Sequence, residues 1–124
     1  MNSITHFEVY KKVKAHLLKQ RARSLGDKGC AYRGFNNGAM CAVGCLIKDE
    51  HYTTELEGKR ADCGNVWYAL CASLNIPGKQ PSNFARMILQ LQTIHDSATI
   101  SSWETQLNNF LFTKEGEYMG WEAQ

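Results

Sequence analysis

The chain has 124 residues, of which 44 % are hydrophobic and 21 % charged, and its formal net charge is +2. That length suits one domain and excludes a Rossmann enzyme or a TIM barrel, while the apolar share excludes a disordered chain. Charge is unevenly placed: residues 1–33 hold eight Lys or Arg against Glu8 and Asp27, so the front is basic and the remainder acidic.

The first predicted element is a helix over residues 5–21. Thr5 and Glu8 have capping-box spacing, and Phe7, Tyr10, Val13 and Leu17 recur at helical period. Residues 22–29, with Gly26 and Gly29, read as a loop. Asn36-Asn37-Gly38 is a tight-turn signal, which predicts a hairpin with strands near 30–35 and 39–44. The second arm is open between a strand and a helix running from Cys41 to about His51. Residues 49–64 are polar and read as a surface excursion, where binding residues concentrate.

Val66, Trp67, Leu70, Cys71 and Leu74 mark a second helix, ended by Pro77 and Gly78. A third follows Pro81, with Ser82 as cap and Phe84, Met87, Ile88, Leu91 and Ile94 on its apolar face. Ser101 and Glu104 have capping-box spacing and open a fourth helix carrying Trp103, Leu107, Phe110 and Leu111. From about residue 116 the chain reads as a loose tail, from which Tyr118, Met119 and Trp121 can dock back. Together these give a mainly helical α+β domain over residues 1–124, with about four helices and one short hairpin.

Met1 to Lys14 lack the apolar core and small-residue cleavage site expected of an export signal, and no run approaches the roughly 18 apolar residues of a membrane span. The expectation is a cytoplasmic protein with no membrane association. Five cysteines, at 30, 41, 45, 63 and 71, are an odd count for a disulfide framework. The Cys41–Cys45 spacing allows zinc, but their apolar neighbours favour buried free thiols. No metal or other cofactor is expected.

Cys30-x-Tyr32-Arg33-Gly34, Gly38-x-x-Cys41-Ala42-Val43-Gly44-x-Leu46-Ile47, Asp49-Glu50-x-Tyr52 and Glu57-Gly58 form a pattern. With the later Leu91-Gln92-x-Ile94-His95-Asp96 and Trp103, it resembles small uncharacterised proteins of tailed phages and prophages. The resemblance spans most of residues 5–112. It implies a phage accessory protein in a bacterial host cell, acting by binding and blocking a defence or regulatory component. It carries no known chemistry with it.

Four constellations bear on chemistry. Tyr32 and Arg33, with Lys28 and Gly29 before them and Gly34 after, form a candidate anion site: arginine supplies a planar fork and tyrosine a stacking face. The competing reading is that Arg33 pairs with Asp49 or Glu50 and ties the hairpin to the following loop. The acidic loop of Asp49, Glu50, His51, Tyr52, Glu55 and Glu57 does not match a calcium-loop spacing and reads better as a solvated loop or as an acidic surface for a basic protein partner. Cysteine with His95 and Asp96 allows a small Cys/His hydrolase. Neighbours on a helix point about 100° apart, however, so Asp96 is not expected to orient the His95 ring, and His95 is expected at the last helical carbonyls. The basic first helix allows a nucleic-acid-binding regulator, without a recognised docking motif.

The leading expectation is a non-enzymatic binding protein whose site comprises Tyr32, Arg33, Asp49, Glu50, Tyr52, Glu57 and His95. Its partner is either a small anionic, nucleotide-like ligand or a host protein surface. Nucleic acid is a less favoured partner.

Overall fold

The computed structural model describes residues 4–27, 29–35, 38–78 and 82–121. Helix α1 spans His6–Gln20, and its start is set by the expected capping box: Thr5 Oγ1 accepts from the Glu8 amide and Glu8 Oε1 accepts from the Thr5 amide. Val9, Tyr10, Val13 and Leu17 form its buried stripe. The helix ends at Arg21, whose φ of 47° turns the chain away.

Where the sequence suggests a loop, β1 (Leu25–Gly26) pairs antiparallel with β2 (Gly29–Cys30). Two-residue strands contain no alternation to read. The expected hairpin over 30–44 contracts to a single antiparallel bridge, Arg33 to Met40, flanked by Gly34 N–H to Ala39 O at 2.8 Å. Its turn residues Asn36 and Asn37 lie outside the described residues, as do Lys28 and Pro81.

Residues 41–47 are neither the strand nor the helix envisaged. They make a turn and then a 3-10 turn at Gly44–Leu46. Gly44 explains the change of path, because it crosses the Tyr32 backbone so closely that a Cβ there would lie 1.9 Å from the Tyr32 carbonyl oxygen. Two more 3-10 turns, Asp49–His51 and Thr54–Leu56, carry the polar excursion.

Helix α2 runs Gly64–Leu74 and ends on Asn75 in the left-handed region, at φ 58°. Helix α3 runs Ser82–Ser97; the capping role read for Ser82 lies outside the described residues. A 3-10 turn at Ile100–Ser102 leads into α4, which covers only Trp103–Leu107. The Ser101–Glu104 capping box does not form: Ser102 stands at the cap position and makes no side-chain cap bond.

Phe110 and Leu111, read as helical, lie instead in β3 (Phe110–Phe112). It pairs antiparallel with β4 (Tyr118–Trp121). The segment expected as a loose tail is therefore a docked strand over 118–121, with Tyr118 buried. The fold is α+β and mainly helical, with two small two-stranded sheets.

Helices α1, α3 and α4 pack on one another, the 44–46 turn packs on α1, and α2 packs on the 44–46 and 49–51 turns. Trp103, Phe84, Met87, Leu91 and Leu107 are fully buried between them. Burying each such side chain stabilises the fold by about 1.5–3 kcal/mol, so this contact sets the frame on which the loops hang. No helix among the described residues is long and apolar enough to cross a membrane.

Candidate functional site

Glu57 organises the excursion. Its Oε1 accepts from the Tyr32 amide at 2.8 Å. Its Oε2 accepts from the Arg33 amide at 3.1 Å and from the Tyr52 hydroxyl at 2.6 Å. One carboxylate thus satisfies two backbone donors of the bridge segment and one side chain of the facing loop. Hydrogen bonds to an ionised group are the stronger kind.

Arg33 extends from this junction. Its guanidinium lies over the Tyr52 ring at 4.4 Å, donates to the Ile47 carbonyl at 2.8 Å and pairs with Asp49 Oδ1 at 2.7 Å. Its Nε is buried with no acceptor among the described residues. The Asp49 side chain is 95 % exposed against 25 % for Arg33. The pairing read as the alternative for Arg33 is therefore present. Because one partner sits in water, it is an exchangeable contact worth about 0–1 kcal/mol. Burial and the Glu57 bond push the Tyr52 hydroxyl up to about 12, so it stays a donor to Glu57.

Beside this network is a cleft of about 200 Å³, whose lining includes Arg33, Tyr52, Glu57, Phe35, Cys30 and Asp27. Phe35 is 77 % exposed, the most exposed large hydrophobic side chain among the described residues. Nothing in the sequence marks Phe35 as a cleft residue apart from its place next to the Asn36-Asn37-Gly38 signal.

Three expected site residues are placed differently. Tyr32 is only 5 % exposed, and its hydroxyl donates to the Lys59 carbonyl. It is a core residue and offers no face for stacking; Tyr52 and Phe35 are the aromatics at the cleft. Glu50 is exposed in the 49–51 turn and takes no part in the Glu57 network. His95 is 0 % exposed and stands behind the cleft wall.

The His95 ring does not meet the last helical carbonyls. Its Nε2 accepts from the Ser24 amide at 2.9 Å, and its Nδ1 lies 2.7 Å from Asp96 Oδ1, against the expectation from helix geometry. A backbone N–H can only donate, so Nε2 carries no proton and Nδ1–H donates to Asp96. Cys30, not Cys41, is the cysteine nearby: its sulfur and the His95 and Asp96 ligand atoms all lie within 4.8 Å of one another.

Both ring nitrogens are thus engaged. The ring has no lone pair free to deprotonate a thiol or to ligate a metal without breaking the Ser24 bond. Burial and the Asp96 carboxylate push the Cys30 thiol up, opposite to what a nucleophile needs. Burial likewise raises Cys41 and Cys45 to about 12, which opposes the thiolate form that zinc requires. The Cys30–His95–Asp96 group is a brace between β2 and the end of α3. Arg23 reinforces it by donating to the His95 and Ala98 carbonyls.

The basic front is partly consumed by structure. Besides Arg23 and Arg33, Lys14 donates to Asn108 Oδ1 at 2.6 Å, and its ammonium lies 5.9 Å from the Tyr10 ring centroid. Compared with protein-family models, curated proteins and solved structures, the chain matches none.

Proposed function

We propose that the protein is a non-enzymatic binding protein that captures a small anionic, nucleotide-like ligand at the Arg33 cleft. The observation that carries this is the state of Arg33: its guanidinium is fixed by Tyr52 and the Ile47 carbonyl, yet its charge partner is the solvent-exposed Asp49. A pre-oriented fork with an exchangeable partner is suited to an incoming oxyanion. The exposed Phe35 ring supplies a stacking surface at the same cleft. A volume of about 200 Å³ lies below the roughly 300–1,000 Å³ of drug-sized ligand sites. One end of the ligand is held and the rest remains in solvent.

The resemblance of the Cys30–Gly58 pattern to phage and prophage proteins points to a setting in a bacterial cytoplasm, where capture would withdraw a ligand from a host process such as defence. A second reading, masking of a host protein surface, draws on Leu25 and Phe35, which are both exposed and joined by the Phe35 N–H to Leu25 carbonyl bond.

The test is calorimetric titration with adenosine monophosphate at physiological salt. Losing a charge-assisted hydrogen bond worth about 1.5–3 kcal/mol weakens binding roughly 10- to 100-fold, which is the expectation for Arg33→Ala. Phe35→Ala, at an exposed position, is expected to weaken binding several-fold with an unchanged melting temperature. Binding unaffected by both variants would contradict the proposal.

A further inference from the structure

We infer that the anion taken by Arg33 is a phosphoryl group, and that Asp49 is the built-in competitor it must displace. This rests on the reading of the cleft as an anion site and specifies what that site accepts.

Asp49 already presents a carboxylate oxygen to the Arg33 fork at 2.7 Å. It is tethered by the chain in the 3-10 turn Asp49–His51, so it competes at a high effective concentration. A free carboxylate brings the same charge and the same two oxygens, and gains nothing by exchanging with it. A phosphoryl group brings up to a second charge and a third oxygen. It can outbid the tethered carboxylate and serve fork N–H groups that the Ile47 carbonyl leaves open. The Asp49 side chain is almost wholly in water, so solvent can take over from Arg33 when the carboxylate leaves.

Displacement has a local consequence. The turn that carries Asp49 is closed by His51 N–H to the Lys48 carbonyl at 2.9 Å and by Tyr52 N–H to the Asp49 carbonyl at 3.2 Å. Releasing the side chain removes one anchor of that turn, and the next residue, Glu50, is exposed there. Occupancy of the cleft is thereby reported on the acidic surface of the 49–51 turn.

The experiment is a nitrogen-15 NMR titration of the full chain with sodium phosphate and, separately, with sodium acetate. It follows the Arg33 side-chain N–H and the His51 and Tyr52 amides. In the wild type, phosphate is expected to shift these signals saturably, and acetate at equal concentration to leave them in place. In Asp49→Asn, phosphate is expected to bind up to about five-fold tighter, the factor that removing a competing exposed ion pair supplies. Acetate should then produce shifts of its own.

Equal phosphate affinity in the wild type and Asp49→Asn, or acetate matching phosphate in the wild type, would overturn the inference while leaving an anion site in place. Phosphate binding that survives Arg33→Ala, or no response in either the wild type or Asp49→Asn, would overturn the cleft reading and this inference together.

Discussion

Glu57 accounts for more of the site than any other side chain. Removing its carboxylate leaves the Tyr32 and Arg33 amides without their acceptor and frees the Tyr52 ring from beneath the Arg33 guanidinium. Unmet backbone donors cost about 1–3 kcal/mol each when solvent is excluded, less where water reaches them. Glu57→Ala is expected to destabilise the protein by about 2–3 kcal/mol, read as a fall of roughly 10 °C in melting temperature. It should also abolish ligand binding, because the fork loses its support. Glu57→Gln keeps one acceptor oxygen and is expected to fall between. A Glu57→Ala variant as stable as the wild type would mean that the loop is not held this way. The same residue shows why the sequence under-reported the site. Glu57 was read as part of an acidic surface, since nothing in an isolated Glu-Gly pair says that two amides 24 and 25 positions earlier will point at it.

At the scale of elements, two junctions decide how the loops meet the helical frame. The first is Gly44, where any side chain meets the Tyr32 carbonyl. Gly44→Ala is expected to cost about 3 kcal/mol, at the upper end for overpacking, because the obstacle is backbone and cannot swing away. Denaturant unfolding reads this as a lower midpoint with an unchanged slope. The second junction is His6, whose Nδ1 accepts from the Tyr118 amide at 3.0 Å and so ties the start of α1 to β4. Burial holds its pKa below the usual 6.5, against the opposing pull of Glu117. The unfolded chain therefore takes up the proton first. This contribution to stability is complete above about pH 6.5 and is lost as pH falls through the lower value of the folded state. Melting temperature should decline between pH 7.5 and 5.5 more steeply in the wild type than in His6→Asn, which keeps an acceptor that does not titrate. Parallel curves for the two proteins would remove His6 from the account.

Across the whole molecule, the long periodic segments were legible and the short non-local ones were not. Thr5 and Glu8, and the apolar sets of α1, α2 and α3, identify those helices because capping and helical period are local properties. Phe110 and Leu111 continue the α4 period on paper, but the chain turns at Asn108 and Asn109 and places them in β3 opposite Gly120 and Trp121, pairings that only the folded chain reveals. At the site, Arg33, Asp49, Tyr52 and Glu57 were all marked by their residue types and do come together. Tyr32 was misplaced because a tyrosine beside an arginine carries no sign of whether it faces inward. His95 and Asp96 were noticed, but their cysteine is Cys30, a neighbour brought in by the β1–β2 turn. Nor could the sequence tell which residues of the basic front meet acceptors of the fold, as Lys14, Arg23 and Arg33 do.

The central claim is that Arg33 exchanges its exposed carboxylate partner for a ligand's anion. A crystal structure of the protein grown with adenosine monophosphate tests this most directly. The account expects the phosphate on the Arg33 guanidinium, the base against Phe35, and the Asp49 side chain turned away into solvent. An intact Arg33–Asp49 pair, with the nucleotide lying elsewhere, for example along the exposed lysines of α1, would contradict it.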